Sequence, residues 1–157
     1  AVQHALLKAG VVSVQEVEAS AAHVAACREE AEHQGHADLI EHLMGDLGSV
    51  AGEVEPADIV TLDRSVCCWP DMPDLIERSA VKARRFLGIV YPRDVWWVRH
   101  GWRAYSNVRQ VLRRNPMRVY THRTGDVEAI LARHGLERHS YTEVGVWQVV
   151  VYAKNRP

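Results

Sequence analysis

The sequence predicts an α/β fold, with a mostly parallel sheet, helices on both of its faces and an antiparallel strand pair at the C-terminal end. Three observations support this prediction. Strand-like and helix-like segments alternate along most of the 157 residues. Two strand-like segments flank Gly145, as in a hairpin. Hydrophobic residues make up 47% of the chain and charged residues 25%, as in ordinary globular domains, so the composition excludes a disordered or low-complexity polymer.

The first third of the chain contains two predicted strands on either side of a helix. Residues 2–8 are typical of the end of a helix, and residues 11–18 are β-branched and alternating, as in a strand. Ser20 is a typical N-cap for a helix that continues to about residue 34. Residues 39–46 form the second predicted strand.

The remainder of the chain continues this alternation. Residues 57–64 predict a buried parallel strand, because Ile59, Val60 and Leu62 are apolar. A long helix is predicted from about residue 94 to residue 114, where Asn115-Pro116 stops it. The other predicted elements are helices over 72–84 and 125–134 and strands over 86–92, 136–144 and 146–153.

The cysteines and the hydropathy pattern favour a cytoplasmic protein. The chain has three cysteines, Cys27 and the adjacent Cys67 and Cys68, an odd number without the spacing of a disulfide framework. No apolar run approaches the roughly 18–20 residues that cross a bilayer. No set of histidines or cysteines has the spacing of a metal site, so we expect no metal.

Charge is distributed unevenly. Residues 1–60 contain eleven acidic and two basic residues, whereas residues 81–123 contain eleven basic residues and one acidic residue. A basic segment of this kind is typical of a solvated helix face, and it also suits an anionic substrate, a membrane surface or nucleic acid.

An aromatic and basic stretch, residues 96–114, lies within this segment. One face is an apolar stripe that we expect to pack in the core. The other aromatic residues and the arginines have two further interpretations, a lid over a large flat acceptor and a peripheral contact with anionic lipid. The stripe comprises Trp97, Gly101, Ala104, Val108, Val111 and Leu112.

Acidic residues follow the first two predicted strands. In α/β sheets ligands bind outside the carboxyl ends of the strands. Glu18 ends the first strand, where a carboxylate can accept hydrogen bonds from two ribose hydroxyls; the alternative is an exposed acid that favours a helix N-terminus. Asp46 follows the next strand and can accept from an exocyclic amine; the alternative is a turn residue.

These strand ends, together with the segment over 57–71, resemble the class I S-adenosylmethionine-dependent methyltransferases. The resemblance is strongest to the small-molecule branch that includes the magnesium-protoporphyrin O-methyltransferases. It covers essentially the whole chain, and its specificity lies in the order and spacing of its pieces. The matching pieces are VQEVEAS, GDL at 45–47, ADIVTLDRSVCCWPD, GIVYPRDVWWVR and GDVEAILARHGLE followed by VWQVVVYAK.

The resemblance implies a Rossmann-like sheet that binds S-adenosylmethionine and transfers its methyl group to an oxygen, nitrogen or carbon of a small-molecule acceptor. No adenine-methylating NPPY-like motif follows residues 57–64, so no nucleic-acid partner is expected. The implied cofactor residues are Glu18 and Ala19 at the ribose, Asp46 and Leu47 at the adenine, and Asp63, Arg64 and Ser65 at the amino-acid end. The implied acceptor residues are Cys67, Trp69 and Trp96, with Cys68 and Tyr91 as candidate catalytic groups.

Cys67 and Cys68 occupy a place where the porphyrin-methylating relatives often carry a histidine as proton acceptor. A thiol acts as a base only if its pKa is depressed towards neutrality. The alternative is that both cysteines are small apolar residues of the core.

The glycine-rich loop with which the family begins, of the form D/E-x-G-x-G-x-G, does not occur in this sequence. In the family's sheet, the strand before that loop lies between the strands that match 11–18 and 57–64 here. We therefore expect residues 1–157 to form a single methyltransferase-like domain, truncated at its N-terminus and lacking the first central strand. The alternative function is a non-catalytic methyltransferase-like remnant or interaction module.

Overall fold

The computed structural model describes residues 2–155, which divide into one unit that ends at Glu55 and a second that begins at Pro56. The first unit is built around a pair of parallel strands, β1 (Val14–Glu18) and β2 (Ile40–Met44), which are in register from Val14 opposite Ile40 to Glu18 opposite Met44. Its helices are α1 (Val2–Lys8), α2 (Ala21–His33) and the short α3 (Leu47–Val50), with a 3₁₀ turn at Ala37–Leu39.

The helices and strands of the first unit agree closely with those predicted from the sequence. The Ser20 side chain caps α2 by accepting a hydrogen bond from the backbone N–H of His23 at 3.4 Å, as predicted. Leu7, Ala31 and Ile40 form the buried cluster of this unit, so α1 and α2 both contribute to it. Helix α2 connects β1 to β2, which is the crossover that a parallel pair requires.

The second unit contains a four-stranded mixed sheet in the order β3-β4-β6-β5. Strand β3 is parallel to β4, whereas β6 is antiparallel to both β4 and β5. The predicted C-terminal hairpin is therefore confirmed. The elements are β3 (Ala57–Asp63), a 3₁₀ turn (Val66–Cys68), α4 (Met72–Lys82), β4 (Ala83–Pro92), a π-helical turn (Val98–Trp102), α5 (Arg103–Leu112), α6 (Thr124–Arg133), β5 (Leu136–Val144) and β6 (Trp147–Lys154).

The core of the second unit lies under β4 and β6, the two inner strands of this sheet. Leu87 and Ile89 of β4 and Val150 of β6 are completely buried. Helices α4 and α6 pack on each other, and they contact β4 and β5 respectively. Ile76 of α4 and Leu131 of α6 are also completely buried, so burial of apolar surface on these two helices stabilises the sheet.

The prediction of a buried strand over 57–64 is correct for the strand and wrong for its burial. Leu62 is the only buried residue of β3, and Ile59 is 36% exposed. Strand β3 is at the edge of its sheet, since β4 is its one neighbour among the described strands. Its apolar run therefore does not lie between two neighbouring strands, as we expected of a buried parallel strand.

The prediction of one regular helix over 94–114 is also only partly correct. The π-helical turn precedes α5, and α5 contains no buried residue. Val108 and Leu112 of the predicted apolar stripe are exposed, so these positions do not pack in the core as we expected. No described helix combines the length and hydropathy needed to cross a membrane.

Strand order agrees with the predicted fold class. Strand β1 pairs with β2 alone, and β3 pairs with β4 alone among the described strands. Each therefore presents one backbone edge that carries no strand in this structure.

Candidate functional site

The carboxyl ends of β1 and β2 lie side by side. Glu18 is opposite Met44, and the Gly45 N–H continues the ladder by donating to the Glu18 carbonyl oxygen at 3.1 Å. Glu18 and Asp46 therefore follow adjacent parallel strands at the same edge of this strand pair. This is the edge at which ligands bind in α/β sheets.

The Glu18 carboxylate is held in place and remains accessible. Its Oε1 accepts a hydrogen bond from the Ser20 N–H at 2.8 Å, and its Oε2 lies 3.6 Å from His23 Nδ1. One third of the Glu18 side chain is exposed, and the adjacent residue Ala19 is also exposed. A carboxylate has about four acceptor positions, so this geometry can also serve a pair of ligand hydroxyls.

Asp46 caps the short helix α3. Its Oδ1 accepts from the Ser49 N–H at 2.9 Å, and the residue is exposed. Leu47 beside it is half-buried. The turn interpretation and the ligand interpretation of Asp46 are compatible, because the cap occupies Oδ1 and a carboxylate has a second oxygen.

Gly45 connects β2 to this cap in a conformation that requires glycine. Its φ is +151°, and a Cβ there would lie 2.7 Å from Val50 Cγ1. We expect Gly45→Ala to destabilise the first unit by about 1–3 kcal/mol through backbone strain and overlap. Urea unfolding followed by circular dichroism measures this effect. Gly52→Ala is the matched control, because a Cβ at Gly52 meets nothing within 4 Å, and equal stability of the two variants would contradict the prediction.

The end of β3 forms a tight, exposed turn. Arg64 has a φ of +55°, and its N–H donates to the Val90 carbonyl oxygen at 2.9 Å, which ties the turn to β4. The Arg64 Nε lies 3.3 Å from Asp63 Oδ1, and the Ser65 hydroxyl donates to the Asp63 carbonyl oxygen at 3.4 Å. All three predicted amino-acid-end residues are thus exposed on one turn.

Cys67 and Cys68 follow on the 3₁₀ turn. Cys67 is buried with its Sγ 3.1 Å from the Arg64 carbonyl oxygen, whereas Cys68 is exposed. The two sulfurs are 3.7 Å apart. The hydrogen bond from Cys67 lowers the pKa of Cys68 to about 7, while the same bond and burial raise the pKa of Cys67. Cys68 therefore meets the condition for a thiol base, and Cys67 fits the interpretation as a small buried residue.

We expect Cys68 to be the most reactive thiol of the chain at neutral pH. Thiolate is the reactive form, so alkylation of Cys68 by iodoacetamide should rise with pH through a midpoint near 7, its lowered pKa. Cys27 is an internal control, because burial raises its pKa to about 11. Peptide mass spectrometry of samples quenched between pH 5.5 and 9.5 measures both rates. A midpoint near 9 for Cys68, or faster labelling of Cys27, would show the assignment to be wrong.

The remaining predicted acceptor residues occupy different environments. Trp69 is half-buried and Trp96 is 78% exposed. Tyr91 is completely buried in the core, and burial raises the pKa of its hydroxyl. The structure thus places Tyr91 away from solvent, and its catalytic role stays a prediction.

The segment that covers the cysteine turn was not predicted from the sequence. The Tyr120 N–H donates to the Cys67 carbonyl oxygen at 2.7 Å, and His122 Nε2 lies 3.2 Å from the Val66 carbonyl oxygen. Burial lowers the pKa of His122, so its ring is neutral at pH 7. These residues lie more than 50 positions from the turn, and no local spacing in the sequence links them to it.

Comparison with known proteins gives no match to a family model and none to a curated protein. Solved structures do match. An O-methyltransferase family protein from Burkholderia thailandensis superposes with a TM-score of 0.72 at 15% identity, over 90% of this chain and 43% of that one. Magnesium protoporphyrin IX methyltransferase from Synechocystis PCC 6803 with bound SAH gives 0.70 at 17% identity, over 96% of this chain and 67% of that one.

A third structure extends the range of acceptors among these neighbours. The N,N-8-amino-8-demethyl-D-riboflavin dimethyltransferase from Streptomyces davawensis gives a TM-score of 0.65 at 18% identity, over 98% of this chain and 46% of that one. The chain thus spans less than half the length of two of these three proteins and about two thirds of the other. At these identities the comparison establishes the fold. Over nearly its whole length, the chain has the Rossmann-like fold of the S-adenosylmethionine-dependent small-molecule methyltransferases.

Proposed function

We propose that this protein transfers a methyl group from S-adenosylmethionine to a small-molecule acceptor, and that its two units belong to one methyltransferase-like domain. The observation that carries the proposal is the register of β1 on β2. It brings the carboxylates that follow the two strands, Glu18 and Asp46, to the same edge. A nucleoside needs recognition at its sugar and at its base, and two neighbouring carboxylates supply acceptors for both.

The comparisons support the same proposal. The three structural neighbours described above are named as methyltransferases, and the Synechocystis enzyme was solved with SAM in one structure and with SAH in another. The three free cysteines suit a reducing compartment, so the proposal places the protein in the cytoplasm.

The residues of the chain have distinct roles in this proposal. Glu18 accepts from the ribose hydroxyls, and Asp46 with Leu47 contacts the adenine. The exposed turn over 63–65 contacts the amino-acid end of the cofactor. When bound, S-adenosylmethionine supplies a methyl group on a positively charged sulfur.

The acceptor side of the site needs little acid–base chemistry. Most of the rate enhancement comes from alignment of the acceptor atom with the methyl group and sulfur. Trp69 and Trp96 supply flat apolar surface for such an acceptor. Cys68, as a thiolate near neutral pH, removes a proton from an acceptor hydroxyl or amine where one must be lost.

Calorimetric titration of the protein, expressed from its whole reading frame, with S-adenosylmethionine and with S-adenosylhomocysteine tests the proposal. We expect one ligand per chain, and a thermal shift that corresponds to about 2.7 kcal/mol at a hundredfold excess over the dissociation constant. No binding of either compound would refute the methyltransferase assignment. That outcome would favour the non-catalytic interaction module, which the absence of the D/E-x-G-x-G-x-G motif from the sequence motivates.

A further inference from the structure

Three sulfur atoms converge beside the turn that follows β3. Cys67 Sγ and Cys68 Sγ are 3.7 Å apart, and Cys68 Sγ is 4.0 Å from Met117 Sδ. Sulfurs bonded to one metal ion at about 2.3 Å, with tetrahedral or trigonal angles, lie about 3.8–4.0 Å from each other. The Cys67–Cys68 and Cys68–Met117 separations, which share Cys68 Sγ, thus match those of ligands around a common ion.

The backbone explains why adjacent cysteines point the same way. In an extended strand, neighbouring side chains point to opposite faces. Here the left-handed conformation of Arg64 turns the chain into the 3₁₀ turn, and both thiols approach one acceptor. The Arg64 carbonyl oxygen lies 3.1 Å from Cys67 Sγ and 3.7 Å from Cys68 Sγ.

Met117 is fixed on both sides by backbone hydrogen bonds. Before it, the Asn115 side chain accepts from the Met117 N–H at 2.9 Å. After it, Asn107 holds Val119 through two hydrogen bonds of 2.7 and 3.0 Å, and Tyr120 is bonded to the Cys67 carbonyl oxygen. The thioether therefore lies next to Cys68 because the segment that carries it is anchored to α5 and to the cysteine turn.

We propose that Cys67, Cys68 and Met117 form a binding site for a soft monovalent metal ion, Cu(I). Thiolate and thioether sulfurs select Cu(I), whereas hard cations prefer oxygen ligands. On binding, the Cys67 thiol and the fraction of Cys68 that is still protonated lose their protons to solvent, and three copper–sulfur bonds form without a change in oxidation state. Cys68 and Met117 are exposed, which gives the ion a path of entry.

Anaerobic titration with Cu(I), kept reduced by ascorbate and in competition with a coloured Cu(I) chelator, tests this site. We expect one Cu(I) per chain and an X-ray absorption spectrum with a sulfur-only first shell. Loss of a residue that only supports a metal ligand lowers metal affinity about 10–100-fold. Cys68→Ser and Met117→Leu each remove a direct ligand, so each should lower the affinity for Cu(I) by at least about tenfold. Both side chains are exposed, so the variants should fold, and circular dichroism checks this.

Two matched substitutions in the first unit serve as controls. Met44 is exposed like Met117, and Cys27 is the remaining cysteine, so Met44→Leu and Cys27→Ser should leave the affinity for Cu(I) unchanged. Unchanged binding in either Cys68→Ser or Met117→Leu, or no stoichiometric binding in the unaltered protein, would overturn the three-sulfur site. The titration contains no S-adenosylmethionine, so its result is independent of the proposed methyl transfer.

Discussion

Leu87→Ala is expected to lower the free energy of unfolding of the second unit by about 2–5 kcal/mol, the usual cost of truncating a buried leucine. Leu87 is completely buried and lies in β4, between Val60 of β3 and Tyr152 of β6. The substitution removes three carbon atoms and leaves a cavity that hydrogen-bonded neighbours on both sides cannot easily fill. Urea unfolding followed by circular dichroism and tryptophan fluorescence measures the change.

Leu112→Ala is the control for this substitution. The chemical change is the same, but Leu112 is 78% exposed at the end of α5. Its effect should stay within about 0.5 kcal/mol, as for most surface substitutions. Equal losses at the two positions would show that the core does not lie under β4.

The second large effect is expected for Glu18→Gln, and it rests on the proposed function. Hydrogen bonds to a charged group contribute about 1.5–3 kcal/mol, so loss of the charge should weaken binding of S-adenosylmethionine about 10- to 100-fold. Glutamine keeps a side-chain oxygen to accept from the Ser20 N–H, and the entry into α2 is therefore preserved. Calorimetry on the protein from its whole reading frame measures the two dissociation constants.

Glu29→Gln controls for the change in net charge. Glu29 is exposed on α2, the helix that Ser20 caps. This substitution should leave the dissociation constant for S-adenosylmethionine within about twofold of that of the unaltered protein. A twofold change corresponds to about 0.4 kcal/mol, which is the usual size of the effect of a surface substitution. If Glu18→Gln bound the cofactor as tightly as Glu29→Gln does, the ribose role of Glu18 would be refuted while the protein could still bind at other residues.

The elements that were predicted well from the sequence are those determined by residues close to each other in the chain. Ser20 marks the start of α2 because its side chain and the first free N–H groups of the helix are close in sequence. Gly135 and Gly145 mark their turns because both adopt positive φ, which other residues resist. The parallel pairing of β1 with β2 and of β3 with β4, and the antiparallel pairing of β5 with β6, also follow from local pattern, since helices between strands make parallel crossovers and a short turn makes a hairpin.

What sequence could not predict depends on contacts between distant residues. The composition of β3 is that of a central strand, but burial depends on which strands and helices cover it. The same holds for the apolar stripe of α5, whose exposure no periodicity reveals. In the candidate site, the strand-end residues were predicted from their position, whereas His122 and Met117 reach the cysteine turn through tertiary structure alone.

The position of β6 has a consequence for folding during synthesis. Tyr152 and Val150 of β6 pair with Leu87 and Ile89 of β4, and β6 separates β4 from β5. As the ribosome releases the chain, β4 therefore remains without this neighbour until Trp147–Lys154 has emerged. The nascent second unit exposes Leu87 and Ile89, which are completely buried in the folded unit, during that interval, which is when a chaperone that holds nascent chains protects it most.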